Sequence, residues 1–364
     1  DRREERPALD FDLDIEASRM ALDGRDTGRL TAKVRRDGAI TSVERLEIAG
    51  LDGASLIASG TLGGGSRRVT VKLDAEKGEG IAAVAQQVFP GAITDGLKAR
   101  AASLAPALIV ASLANDERED TYDIAAEGLL GGSEVKVSGL LVLKADIALD
   151  IRATAANPDS GRLAQQISGT QRKLLSTLPA SGSVSLKGNP RATIETRLAG
   201  SLFGVNVDLG GTIKLFQPLV PFEGSITAQS PDLYPALSAL GVDPQFLARG
   251  AAGRLTGKVE SNLQQITITD ARARIGDVPA SGEISFKLAE GGAVAGQIKL
   301  PQLDLRPALA GVFGPGFSLF GGGAQWSSAA FARPMPPPLS GDLWIEAESA
   351  RFDRSRSMNG APRK

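Results

Sequence analysis

Short runs in which apolar and polar residues alternate are the feature that most constrains the fold of this chain. In the run Val69–Leu73 every second residue is aliphatic, with Thr70 and Lys72 between them. The same period of two recurs along the chain, with glycines between the runs. Because successive side chains of a β-strand point to opposite faces, this pattern predicts half-buried strands with one apolar face. Short strands separated by glycine favour antiparallel meanders over parallel βαβ units.

The alternation also predicts which side chains share the apolar face. Within each run the aliphatic residues occupy every second position and therefore share a face. We expect Gly210-Gly211 to mark a bulge or tight turn, after which the alternation resumes. The predicted lining residues are Val69, Val71, Leu73, Ile147, Leu149, Ile151, Val184, Leu186, Val205, Val207, Leu209, Ile213, Leu215, Ile284, Phe286 and Leu288.

Helix start signals interrupt the strands at a few places. The tripeptide Ser230-Pro231-Asp232 predicts an N-cap, a proline at the first helical position and an acid in the first turn. Asn157-Pro158 predicts another helix start, followed by Leu163, Ile167 and Leu174 at helical spacing. We therefore expect helices inserted between groups of strands.

The longest helical candidate runs from Ile81 to Leu113, with a break near Pro90-Gly91. Its last part, Ala101–Ala114, carries no charge but is shorter than the roughly 20 apolar residues that a bilayer span needs. We expect this part to be a helix packed over one end of the sheet. A second short helix is expected from Asp243-Pro244 to Gly250.

Two pairs of similar segments indicate internal repetition. Residues Gly224–Leu237 and Gly296–Leu309 are identical at seven of 14 positions, and Asp12–Asp23 and Asp342–Asp353 at six of 12. In the first pair the similarity continues beyond the strand into D-L-x-P-A-L. We therefore predict the same strand-then-helix path in both copies, with Leu233 and Leu237 equivalent to Leu305 and Leu309.

The composition excludes several classes of function. The chain has neither histidine nor cysteine, which removes the usual catalytic triads and most zinc sites. The glycine runs 62–66 and 321–323 lack the lysine and hydroxyl residue of a phosphate-binding loop. The net charge of −1 supplies no field for nucleic acid. We expect no cofactor, no metal and no catalytic residue.

One cluster of carboxylates leaves an enzymatic alternative open. Asp116, Glu117, Glu119 and Asp120 contain enough acids for the carboxylate pair of a glycosidase. They follow a predicted helix in a polar stretch, where a solvated loop is the simpler interpretation. Asp12, Asp14 and Glu16 alternate along one predicted strand, and we interpret them as its polar face.

Two stretches resemble the AsmA-like proteins of the Gram-negative envelope. One is AGLDGASLIASGTL at 49–62, and the other is AQWSSAAFARPMPPPLSGDLWIEAESARF at 324–352, which resembles the C-terminal AsmA pattern. The resemblance implies an elongated, curved β-sheet forming a taco-like hydrophobic groove. It also implies a periplasmic location with inner-membrane anchoring through an N-terminal segment, and no enzymatic activity.

These observations give one prediction for fold and function. We expect a mainly β protein, with a curved, mostly antiparallel sheet built of repeated strand units and a few inserted helices. The expected segments are an N-terminal β unit (1–78), a helical insert (79–115), central β repeats (116–333), a C-terminal AsmA-like strand unit (334–353) and a disordered basic tail (354–364).

The predicted function is to hold or pass phospholipid or acyl chains in outer-membrane biogenesis. The low aromatic content, 4%, fits an aliphatic groove better than an ordinary close-packed core. Three alternatives remain open at this point. They are an ordinary two-sheet sandwich with no ligand, a scaffold that binds an envelope protein along an open sheet edge, and a carbohydrate-active enzyme that uses carboxylates alone.

Overall fold

The structure is a computed structural model of the 364-residue chain. It describes residues 9–22, 25–63, 65–88, 92–116, 120–144, 146–168, 178–215, 217, 219–239, 250–262, 264–287, 293–304, 340–353 and 356–359. The chain divides into two compact units, unit 1 (Asp1–Gly200) and unit 2 (Ser201–Lys364). Each unit is described by itself below.

Strands make up most of the described residues. The strands are β1 (Phe11–Leu22), β2 (Arg25–Asp37), β3 (Ile40–Leu51), β4 (Ala54–Leu62), β5 (Ser66–Ala75), β6 (Ala107–Asp116), β7 (Thr121–Leu130), β8 (Ser133–Leu143), β9 (Ile147–Asn157), β10 (Ala180–Gly188), β11 (Ile194–Leu202), β12 (Val205–Ile213), β13 (Phe222–Ser230), β14 (Gly253–Ser261), β15 (Gln265–Ile275), β16 (Val278–Lys287), β17 (Ala293–Asp304), β18 (Ser340–Asp353) and β19 (Arg356–Asn359). The helices are α1 (Gly78–Val88), α2 (Ala92–Leu104), α3 (Ser160–Ser168) and α4 (Tyr234–Ala239).

Unit 1 is built on an antiparallel meander. Each strand from β1 to β9 pairs antiparallel with the next one along the chain, up to β10. Directly opposed residues of an antiparallel pair project from the same face, so the strand registers place each side chain on one face or the other.

Unit 2 follows the same plan with one exception. Strands β12 to β17 form a second antiparallel meander, but β18 joins β17 in parallel and β19 then pairs antiparallel with β18. The prediction of a mainly β fold with a mostly antiparallel sheet and a few inserted helices is confirmed, and the sheet is open.

Helices follow every fourth strand, which gives the repetition in the sequence a structural basis. Helix α1 follows β5, α3 follows β9, and α4 follows β13. The next strand in this series is β17, which contains Gly296 of the second similar segment. Residues Leu305–Leu309 lie outside the described residues, so the predicted equivalence of the two leucine pairs stays a prediction.

The starts of α3 and α4 use the same arrangement of capping hydrogen bonds. Before α3, the Asn157 Oδ1 accepts from the Asp159 amide at 2.8 Å and the Asp159 Oδ1 accepts from the Gly161 amide at 2.7 Å. Before α4, the Ser230 Oγ accepts from the Asp232 amide at 3.2 Å and the Asp232 Oδ1 accepts from the Tyr234 amide at 2.9 Å. Each polar-Pro-Asp tripeptide thus ends a strand and caps a helix.

This arrangement corrects the predicted helix starts. Asp232, rather than Ser230, caps α4, and Pro231 precedes the helix instead of occupying its first position. In α3 the side chain of Leu163 is buried but that of Ile167 is 62% exposed, so the two do not share a buried stripe. Leu174 and the helix predicted at Asp243-Pro244 lie outside the described residues.

The prediction that Ala101–Ala114 is helical is wrong in its second half. Helix α2 ends at Leu104, and β6 begins at Ala107 and pairs with both β5 and β7. Pro106 cannot continue a hydrogen-bonded helix and disfavours helical backbone at the residue before it. The helical insert therefore ends before the predicted boundary at 115.

The prediction of a bulge or turn at Gly210-Gly211 is also wrong. Strand β12 pairs with β13 in an unbroken register through both glycines. Gly211 lies opposite Gly224, and an added Cβ at either position would come within 2.8 Å of the Phe222 ring. These glycines therefore make room for the ring rather than turning the chain. Leu215 lies in a turn after the strand.

Candidate functional site

The predicted lining residues of unit 1 lie on one face of its sheet. On β5, Val69 opposes Leu113 of β6, which opposes Ile124 of β7. Further along the sheet, Ile151 of β9 opposes Leu186 of β10. The registers connect these rows without a change of face, and we call the surface that they form the apolar face of unit 1. It includes Val69, Val71, Leu73, Ile147, Leu149, Ile151, Val184 and Leu186, all half-buried.

The prediction missed the central strands of this face. Strands β6, β7 and β8 contribute Ile109, Ala111, Leu113, Ile124, Ala126, Val135 and Val137. Alternation in β8 was visible in the sequence EVKVSGL, where Val135 and Val137 have one parity and Glu134 and Lys136 the other. Strand β6 was hidden because it carries Leu108 and Val110 on its opposite face, so it shows no polar alternation.

The apolar face continues to the first strand. Ile48 of β3 opposes both Leu56 of β4 and Leu30 of β2, and Ala32 of β2 opposes Ile15 of β1. The face therefore spans the ten strands from β1 to β10. In the described part of unit 1, the main contacts of these strands are with their neighbours in the sheet, and a few strands also contact helices.

Helices cover one end of the apolar face. Ala54, Ala75 and Ala107 are opposed in a row and are almost fully buried, together with Ile81 of α1 and Leu104 of α2. The small side chains in this row allow the helices to lie close to the sheet. We call this the closed end of the face.

A buried polar network fixes α3 at the closed end. The Gln166 Nε2 donates to the carbonyl oxygens of Leu130 and Gly131 at 2.9 and 3.0 Å. The Gln166 Oε1 accepts from the Ser133 Oγ at 2.6 Å, and that hydroxyl accepts from the Asn157 Nδ2 at 2.9 Å. These bonds satisfy strand-end groups that the helix would otherwise leave buried and unpaired.

The opposite end of the apolar face is more exposed. Leu62, Leu113 and Leu143 are 44%, 37% and 45% exposed, whereas Ala75 at the closed end is fully buried. Near this open end the Arg67 Nη1 donates to the Tyr122 hydroxyl at 2.7 Å. Both side chains project from the apolar face, so the Arg67 guanidinium places a positive charge at its open end.

Unit 2 has an apolar face with a denser centre. Phe222, Val259, Ile268 and Ala271 are buried, and the predicted residues Leu209, Ile213 and Phe286 pack against them. Val205, Val207 and Ile284 are half-buried. Val207 and Ile284 lie on the same face by register, and Val205 has the parity of Val207. Leu288 lies outside the described residues.

The charged side chains of the described strands lie mostly on the other face. There, Lys33 forms an ion pair with Glu44 at 2.8 Å and Lys258 with Asp270 at 2.7 Å. The hydrogen bond within each pair is the largest cause, and Coulomb attraction the second, that raises the pKa of the lysine and lowers the pKa of the carboxyl. Asp12 and Asp14 lie on this polar face, opposite Arg35 and Lys33, as predicted.

The structure describes only part of the carboxylate cluster on which the enzymatic alternative rests. Of the predicted carboxylate cluster, residues 117–119 lie outside the described part of the chain, and Asp120 is exposed. Among the described residues, no group of three or more potential ligands is placed to hold a metal ion. No helix in the described ranges is both long and apolar enough to cross a membrane.

Comparisons with known proteins return no relative. No family model, curated protein or solved structure matches the chain.

Proposed function

We propose that this protein binds the acyl chains of lipids along the apolar face of unit 1, and that it acts as a non-enzymatic lipid-handling protein. The observation that carries the proposal is a half-buried aliphatic surface that is continuous over ten strands and covered by helices at one end. A sheet with one apolar face must cover it, and acyl chains supply flexible cover.

The dimensions of the face support this proposal. Strand β5 has ten residues and is therefore about 34 Å long. One layer of acyl chains occupies about 15 Å, half of a bilayer core. Each buried CH₂ group stabilises the complex by about 0.8 kcal/mol, so a chain lying along part of one strand gains enough to bind.

The exposure of the open end indicates where an acyl chain enters the apolar face. An acyl chain entering from this end passes Leu113 and Leu143 and stops at the closed end formed by α1, α2 and α3. A headgroup then lies at the exposed end, near Arg67 and Tyr122. The resemblance of residues 49–62 and 324–352 to AsmA-like proteins supports placing this activity in the periplasm, with phospholipid as the cargo.

Lipid capture by the purified chain tests the proposal. Native mass spectrometry followed by lipid extraction should recover lipid, and the protein should bind a fluorescent fatty acid. Val137→Asp places an unpaired carboxylate among apolar side chains and should reduce binding at least tenfold. The matched control is Ser138→Asp, at the next position of β8 on the opposite face, which should bind as the wild type does.

The control separates binding from folding. Circular dichroism and thermal unfolding of both variants show whether the sheet is intact. If folded Val137→Asp captures as much fatty acid as Ser138→Asp, the apolar face is not the binding surface.

A further inference from the structure

Strand β1 is an edge strand that has one paired side. It is 12 residues long and pairs with β2 from Phe11↔Arg36 to Leu22↔Arg25. Among the described residues, no second strand pairs with its other side. Every second N–H and C=O group of β1 therefore points outward from the sheet, where another strand can pair with it.

The apolar side chains of β1 are more exposed than their neighbours in the sheet. Phe11, Leu13 and Ile15 are 42%, 44% and 38% exposed. Their neighbours on β2 are less exposed: Val34, which opposes Leu13, is half-buried, and Ala32, which opposes Ile15, is buried. A strand added to the outer side would extend the apolar face and cover these three side chains.

The charges of β1 define which strand fits. On its polar face Asp12, Asp14 and Glu16 are all exposed acids. The chain itself shows a complementary neighbour, because Arg35 opposes Asp12 and Lys33 opposes Asp14. Opposite charges on directly opposed residues stabilise a strand pair, and like charges destabilise it.

We infer that the outer edge of β1 binds a β-strand of a protein partner in which aliphatic residues alternate with lysine or arginine. A second copy of β1 is a poor partner, since its acids would oppose acids. Strand β18 has the same defect, because Asp342, Glu346 and Glu348 are exposed there. The hydrogen bonds of this pairing form at the edge of the sheet, whereas the lipid-binding proposal concerns the apolar face as a whole.

A peptide copy of residues 25–37 tests the inference, since aliphatic residues alternate there with Lys33 and Arg35. The fluorescent peptide should bind the full chain with a measurable Kd below 1 mM. A peptide in which Arg29, Lys33 and Arg35 are replaced by glutamate should bind at least tenfold more weakly. A peptide with the native side chains but N-methylated at alternate residues should also lose binding, because it lacks backbone donors.

Protein variants locate the site. Asp12→Asn/Asp14→Asn should weaken binding of the native peptide about tenfold, whereas Asp74→Asn, on the polar face of the interior strand β5, should leave it unchanged. The inference is overturned by absence of binding up to 1 mM, by equal binding of the N-methylated peptide, or by equal effects of the two protein variants.

Discussion

At the scale of single residues, shape rather than chemistry decides what the apolar faces tolerate. The Phe222 ring lies against two glycines of adjacent strands, and the ring is buried because neither has a Cβ. Gly210, one position before Gly211, projects to the other face, and an added Cβ there would meet nothing within 4 Å. Adjacent residues of one strand thus differ completely in the room around them.

Alanine substitutions should show this difference. Gly211→Ala should destabilise unit 2 by about 1–3 kcal/mol, because the new methyl group overlaps the Glu223 carbonyl oxygen and crowds the Phe222 ring. Gly210→Ala should be neutral or stabilise by up to about 1 kcal/mol, because alanine restricts the unfolded chain. Urea unfolding measures both, and equal destabilisation by the two variants would contradict the packing described.

The ion pair between Lys258 and Asp270 gives a prediction on pH. The hydrogen bond that Lys258 donates and, to a smaller extent, the positive charge of Lys258 lower the pKa of Asp270 below 3.8. Stability from this carboxylate is therefore present above the unfolded pKa and is lost as the pH falls through the lower, folded pKa. In an NMR titration the Asp270 midpoint should lie below 3.8 and should rise in Lys258→Met. An unchanged midpoint in that variant would show that the ion pair does not form in solution.

At the scale of elements, the repeating group is four strands followed by a helical segment. The tripeptides Asn157-Pro158-Asp159 and Ser230-Pro231-Asp232 begin α3 and α4 with matching hydrogen bonds, although the two helices share little sequence beyond them. In both places the proline follows the last residue of a strand, so it cannot extend the ladder. The tripeptide thus acts as a strand-to-helix connector.

The two caps should contribute equally. Asp159→Ala and Asp232→Ala each remove one capping acceptor and should each cost about 1 kcal/mol of local stability. Hydrogen exchange of the helix amides should then accelerate about fivefold in α3 and α4 respectively. Asp→Asn at the same positions keeps an acceptor and serves as the control. If only one helix responds, the connectors are not equivalent.

The sequence predicts these elements unevenly, for physical reasons. Strands with one polar face, such as β5 and β9, are recognised because alternation survives in the letters. Strand β6 has aliphatic side chains on both faces, so it loses the period of two and its sequence predicts a helix. Ser230, Pro231 and Asp232 correctly predict that a helix follows β13. The residue that caps α4 is Asp232 rather than Ser230, because the Ser230 hydroxyl accepts from the Asp232 amide instead of from a helix amide.

At the scale of the molecule, each unit presents a polar face with ion pairs and an apolar face with few charges. The predicted lining residues of unit 1 lie on one face because the registers that connect the strands from β4 to β10 contain no shift. The closed end was not foreseeable from periodicity. It depends on Gln166 reaching strand-end carbonyl groups more than 30 residues away in sequence.

The absence of cysteine from the chain allows the central claim to be tested position by position. Single cysteines at Val137 and Leu113, on the apolar face, and at Ser138, on the polar face, can be labelled with a water-soluble maleimide with and without phospholipid. We predict that phospholipid slows labelling at Val137→Cys and Leu113→Cys at least tenfold and leaves Ser138→Cys unchanged. Equal labelling rates with and without phospholipid at all three positions would contradict binding along the apolar face.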